Sequence, residues 1–241
     1  MSIKAVIFDI YNTLFDNDTT YWHRTFEEIC QTQDIRMDPE ELWTHWKAIE
    51  VSFRKNRLNL TNPKASPPFK TYEIAWKEAF ETTFENLDIK GDPIEAAKLS
   101  VESLGTRPPY PDTFRTLEAV KTQRKVAFLT NADNASANKL FKSHNMPSDM
   151  LFTSEKLQTY KPNPYVFHEV LSSLGLMAAE TVYVGDTLVE DIHGAKSAGL
   201  TAIWINRNEL PADPNLLQAD CEIAQLDELV DILEYIDEVN T

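Results

Sequence analysis

Four short apolar runs, rich in β-branched or aromatic residues, do most to constrain this chain: Lys4–Phe8 (KAVIF), Lys125–Leu129 (KVAFL), Thr181–Val184 (TVYV) and Thr201–Ile205 (TAIWI). Each is uninterrupted rather than alternating in polarity, the pattern of strands buried on both faces of a parallel sheet. Helical spacing lies between them. Thr113–Thr122 precedes the second run and Ser136–Ser143 follows it; Pro164–Leu174 precedes the third and Glu190–Ala198 follows it. Strand alternating with helix specifies βαβ units, and so an α/β fold with a doubly wound parallel sheet. A strand near Ala219–Ile223 and a helix over Leu226–Ile236 close the expected domain.

Residues 17–106 break the alternation. Thr20–Gln31, Pro39–Arg54, Thr71–Asn86 and Pro93–Leu104 all carry helical periodicity, and none is followed by a β-like run. Thr61–Phe69 (TNPKASPPF), with three prolines, reads as a loop, and Pro108–Pro111 (PPYP) stiffens the return to the alternating pattern. The expected organisation is an α/β core from residues 1–16 and 107–241, with a helical insertion at 17–106.

The 241 residues suffice for a core with one sizeable insertion. A net charge of −15 repels polyanions, so nucleic acid is not an expected partner. No run approaches the roughly 20 apolar residues of a membrane span, and the N-terminus lacks the pattern of a signal peptide. Cys30 and Cys221 sit in no ligand or disulfide pattern. A cytoplasmic enzyme is expected, as a monomer or homodimer acting on a small anionic substrate.

Ligands of open α/β sheets gather at the carboxyl ends of the strands. After the first run comes Asp9-Ile10-Tyr11-Asn12-Thr13; after the second, Thr130-Asn131; after the third, Gly185-Asp186, with Glu190 and Asp191 a turn later. Lys161 stands before Pro162 in the loop leading to the next helix. A carboxylate can attack phosphorus or carbon and form a covalent intermediate. Facing carboxylates such as Asp9 and Asp186 repel each other unless a hard divalent cation lies between them, and magnesium suits an all-oxygen set. Thr130 and the backbone N–H groups around Asn131 would hold a phosphoryl oxygen, with Lys161 offsetting charge.

These segments resemble the four signatures of the haloacid dehalogenase superfamily: Phe8-Asp9-Ile10-Tyr11-Asn12-Thr13-Leu14, Leu129-Thr130-Asn131, Lys161-Pro162, and Gly185-Asp186 with Asp191. They occur in order, and the resemblance covers nearly the whole chain. It implies that Asp9 is the nucleophile and a magnesium ligand, with the Tyr11 carbonyl and Asp186 as further ligands. Asp191 would bind the metal through water or steady Lys161. Thr13 falls within the first signature and is expected near the substrate. The 17–106 insertion would be a helical cap closing over the site.

Two positions depart from the pattern. Phosphatases of the superfamily carry a second aspartate two residues after the nucleophile, where this chain has Tyr11. A phenol with a reference pKa of about 10 is a poor substitute for that acid/base. Asn12 replaces the usual glycine, and asparagine best tolerates left-handed backbone. Tyrosine at this position is also what the superfamily's metal-independent L-2-haloacid dehalogenases carry. Those enzymes have serine where this chain has Asp186, asparagine where it has Leu188, tyrosine where it has Phe167, and a cap arginine that aligns near Lys47. Asp186 beside a carboxylate substrate would be repelled. A magnesium-dependent phosphatase is therefore the leading expectation, with a dehalogenase second and a weakly active or non-catalytic phospho-ligand-binding relative third.

Within the insertion, Val51–Tyr72 holds Arg54, Lys55, Arg57, Lys64 and Lys70 and no acid. Lys47, Arg54 and Arg57 are expected to draw in or grip an anionic substrate. Trp43, Trp46, Phe53, Tyr72 and Trp76 read as core of the insertion rather than as a stacking platform.

Overall fold

The computed structural model describes residues 2–59, 62 and 65–239; Lys64 and part of the proline loop lie outside them. Six strands, β1 (Ala5–Phe8), β2 (Lys125–Thr130), β3 (Leu151–Thr153), β4 (Thr181–Gly185), β5 (Thr201–Ile205) and β6 (Cys221–Ile223), form one sheet in the order β3-β2-β1-β4-β5-β6. Every pairing is parallel, with Ile7 opposite both Ala127 and Tyr183. The strand order reverses at β1, so a crevice opens beyond the carboxyl ends of β1 and β4. β3 was not anticipated; its three residues pair only with β2, at the sheet edge.

Among the described residues, four helices stand between β1 and the rest of the core: α1 (Thr19–Thr32), α2 (Pro39–Asn56), α3 (Tyr72–Asn86) and α4 (Pro93–Leu104). Asp38-Pro39 and Asp92-Pro93 start α2 and α4, each aspartate accepting from two first-turn N–H groups while the proline needs no partner there. Trp22, Phe26, Trp46, Trp76, Phe80 and Phe84 lead the apolar cluster of this helical cap.

The core helices are α5 (Thr113–Lys121), α6 (Asn134–Ser143), α7 (Ser154–Leu157), α8 (Pro164–Leu174), α9 (Gly194–Ser197) and α10 (Leu229–Val239). Alternate residues of β1 face opposite layers: Val6 and Phe8 pack on α5, α6 and α10, whereas Ala5 and Ile7 pack on α8 and α9. The helix expected at Glu190–Ala198 starts earlier, as a π-helical turn at Leu188–His193 running into α9.

Candidate active site

Asp9 directly follows β1 and is 6% exposed. The chain then turns sharply, with Asn12 at φ 61°, and Asn12 Oδ1 accepts from Asn17 N at 3.1 Å. The left-handed backbone thus falls where asparagine stands. The Thr13 hydroxyl donates to Asp9 Oδ2 at 3.2 Å. Thr13 is fully buried and does not reach the cavity, so it orients Asp9 rather than contacting a ligand.

Lys161 reaches in from the loop before α8. Its Nζ donates to Asp9 Oδ1 at 2.6 Å, to Asp191 Oδ1 at 2.5 Å and to the Tyr183 hydroxyl at 2.9 Å. Tyr183 donates to Asp191 Oδ1 at 2.7 Å, and Asp191 Oδ2 accepts from Thr187 N at 2.9 Å and from the Thr187 hydroxyl. Sequence reasoning passed over Tyr183 because it lies inside a strand. A hydroxyl within a doubly covered strand must find a buried partner, and that was the available signal.

The Asn131 side chain clamps the Lys161 backbone, accepting from Lys161 N at 2.8 Å and donating to Lys161 O at 3.1 Å. It also donates to Glu190 Oε2 at 3.0 Å. Thr130, at the end of β2, is 1% exposed and lines the cavity wall.

Asp9, Asp186 and Asp191 each offer a carboxylate oxygen within 4.8 Å of the others. Among the described residues one ammonium, Lys161, lies between Asp9 and Asp191, and no side chain donates to the Asp186 carboxylate. Burial, then Asp191 and Asp9, hold Asp186 well above the ordinary carboxylate pKa. Burial likewise pushes Asp9 up to about 7, although Lys161 pulls the other way. Burial opposes charge on Lys161, but Asp191 and Asp9 outweigh it and hold the ammonium above the usual lysine range. Tyr11 is partly buried with its hydroxyl inside, and that burial raises its phenol too. The Tyr11 side chain is therefore a neutral phenol at physiological pH.

A cavity of about 740 Å³ runs from this cluster into the cap. Lys47 and Arg54 line it. Arg57 does not: its guanidinium is buried between the Tyr72 hydroxyl and Glu190, with Nη2 2.5 Å from Glu190 Oε1. The expected substrate-gripping arginine is instead a tie from cap to core, because Glu190 and Tyr72 take up its donors. Arg54 Nη2 lies 3.5 Å from the same Glu190 oxygen, and Lys70 pairs with Glu78. A second tie comes from Asp133, whose carboxylate accepts from Tyr72 N at 2.7 Å and Glu73 N at 2.8 Å at the start of α3. Trp46, Tyr72 and Trp76 belong to the cap core as expected, yet they also line the cavity. Arg207, just beyond β5, forks onto Asp112 with two 3.0 Å contacts and lies over the Tyr110 ring at the cavity wall. Its place after a strand end was the signal for it.

No helix among the described residues is long and apolar enough to cross a membrane. A family model for haloacid dehalogenase-like hydrolases matches residues 3–199. The chain is 24% identical over 235 residues to (S)-2-haloacid dehalogenase 1 of Pseudomonas sp. (strain CBS-3), covering 96% of each. It is 25% identical over 237 residues to the glyceraldehyde 3-phosphate phosphatase of Methanocaldococcus jannaschii, covering 97% of this chain and 98% of the other. Its fold is similar to that of the magnesium-bound HAD-hydrolase YfnB of Bacillus subtilis, with a TM-score of 0.79 at 19% identity, covering 97% and 99% of the two chains.

Proposed function

Because the chain belongs to the haloacid dehalogenase-like hydrolases, we propose that it is a magnesium-dependent phosphatase for a small phosphomonoester, with Asp9 as nucleophile. Asp186 carries this reading. Among the described residues, three carboxylates share one site with a single ammonium, and the Asp186 carboxylate has no protein donor. An all-oxygen set with excess negative charge fits a hard divalent cation. Asp9, Asp186 and the Tyr11 carbonyl would hold it. Asp191, whose oxygens are already taken by Lys161, Tyr183 and Thr187, would steady Lys161. Bound there, magnesium would neutralise the phosphoryl group and the carboxylates around it.

An Asp9 oxygen attacks phosphorus, and the ester P–O bond breaks as the aspartyl-phosphate forms. Lys161, Thr130 and the backbone N–H groups near Asn131 bind the phosphoryl oxygens. Water then attacks the aspartyl-phosphate, releasing phosphate and restoring the carboxylate. Tyr11 stands where a carboxylic acid would protonate the leaving oxygen. Its raised pKa keeps the proton on the phenol and makes it a weak acid. Esters with good leaving groups should therefore turn over fastest. The test is phosphate release from p-nitrophenyl phosphate with magnesium, with EDTA, and in Asp9→Asn. EDTA and the substitution should each abolish it; metal-independent turnover would overturn the reading.

Tyr11 itself favours a second reading, a 2-haloacid dehalogenase in which Asp9 attacks carbon and halide departs without a proton. Against it, the substrate carboxylate would lie beside three clustered carboxyl groups, Asp9, Asp186 and Asp191, that share one ammonium among the described residues. Halide release from 2-chloropropionate in EDTA would support this alternative, and its absence at high enzyme concentration would dismiss it.

A further inference from the structure

Lys161 faces Asp9 in the core, yet two groups that engage the cap hold its backbone. The first hold runs through Asn131, whose side-chain oxygen accepts from Lys161 N at 2.8 Å while its Nδ2 donates to Lys161 O at 3.1 Å. This clamp works in one orientation of the amide, because the Lys161 backbone offers a donor on one side and an acceptor on the other. Glu190 selects that orientation. An ionised carboxylate accepts and never donates, so the amide nitrogen must face it, as Nδ2 does at 3.0 Å from Oε2. The other Glu190 oxygen is taken from the cap, by Arg57 Nη2 at 2.5 Å and by Arg54 Nη2 at 3.5 Å.

The second hold is Tyr160, next to Lys161 in the chain. It is 2% exposed and packs in the apolar cluster of the cap, with ring centroids 4.8 Å from Phe69 and 6.1 Å from Phe53. Its hydroxyl donates to Lys70 O at 2.5 Å and accepts from Lys70 N at 3.2 Å. The Arg57 guanidinium lies over the same ring, 4.5 Å from its centre. Arg57 therefore touches both holds at once. A tie that served only to fasten cap to core could end on any core residue, whereas both of these end on Tyr160-Lys161.

Resting on the reading of Asp9 as nucleophile and Lys161 as its phosphoryl-binding partner, we infer that Glu190 and Tyr160 are positioning residues that place Lys161 for the reaction, and that they do so only while the cap is seated. When the cap lifts, Arg57 leaves Glu190 and Tyr160 together. The Asn131 amide is then free to turn over, and the ammonium loses its alignment with Asp9. A misplacement of about 1 Å in such a group costs about 10²-fold in rate.

Two variants of the full chain test this. Glu190→Gln keeps the shape but replaces one acceptor with a donor, so it cannot satisfy both Arg57 and the Asn131 nitrogen. Tyr160→Phe keeps the ring and loses only the hydroxyl, and it carries the test if Glu190→Gln does not fold. With p-nitrophenyl phosphate and magnesium, kcat should fall about 10²-fold in the first and about tenfold in the second, with KM within about threefold of wild type. Hydrogen exchange, followed by mass spectrometry on the metal-free protein, should quicken about tenfold in the peptide spanning residues 158–163 and stay unchanged in β1, which separates local release from global unfolding. An unchanged kcat in the folded variants, a rise in KM as large as the fall in kcat, or unchanged exchange at 158–163 overturns the inference. If wild type releases no phosphate from any ester while the exchange responds as stated, the phosphatase reading has failed and the placement of Lys161 by the cap has not.

Discussion

Gly185 and Asp191 are packed so closely that a Cβ on Gly185 would lie 2.5 Å from both Cβ and Cγ of Asp191. The missing side chain is what lets Asp191 fold back onto Lys161 and Tyr183. Gly185→Ala must push Asp191 aside and loosen the ammonium that faces Asp9. We expect a loss of about 10²-fold in turnover, typical of misplaced reacting groups. Stability should fall by about 1–3 kcal/mol from overpacking. Steady-state kinetics and urea unfolding measure the two effects.

Asp186→Asn separates charge from metal binding. The raised pKa of Asp186 means its ionised form opposes folding at neutral pH when no cation is present. The metal-free variant should therefore melt above the metal-free wild type. Magnesium at 100 times its dissociation constant should stabilise the wild type by about 2.7 kcal/mol, roughly 5–10 °C in Tm. It should do little for the variant. Thermal melts with and without magnesium give all four values.

Asp133 is 4% exposed, and burial raises its carboxyl from 3.8 to about 6, even though Tyr72 and Glu73 N–H groups pull it down. The folded state then binds a proton that the unfolded state has released between those pH values. Stability should consequently fall as pH rises from about 4 to about 6, by at most about 3 kcal/mol from this group at 1.36 kcal/mol per unit. Asp133→Asn should flatten that part of the profile relative to wild type, as urea midpoints across this range would reveal.

The Arg57–Glu190 tie should behave as a buried pair. Glu190→Gln leaves the Arg57 guanidinium, whose side chain is 2% exposed, short of its anion, at a cost of about 3–5 kcal/mol. Arg57→Met combined with Glu190→Gln should recover part of that loss. Urea unfolding followed by tryptophan fluorescence suits this test, since Trp22, Trp43, Trp46 and Trp76 all lie in the cap.

The sheet was legible because strands covered on both faces carry unbroken apolar runs, and their ends locate Asp9, Thr130 and Asp186 without further information. β3 was not, since Leu-Phe-Thr is too short to stand out and pairs on one side only. Helical periodicity correctly buried Trp46 and Trp76 but could not show that one edge of each borders a cavity. Charge counting had the same blind spot. It marked Arg54 and Arg57 as anion-seeking, while their partner Glu190 lies more than 130 residues away in the chain. Local sequence reports how buried a side chain will be, whereas its partner depends on how the cap sits on the core.

Helix α2 carries Trp46, Glu50 and Arg54 on one rigid rod and is capped by Arg57, and the two arginines hold Glu190 across the crevice. The cavity wall and the ties across the crevice therefore share one lever. A substitution on α2 that reshapes this wall should also disturb the contacts to Glu190.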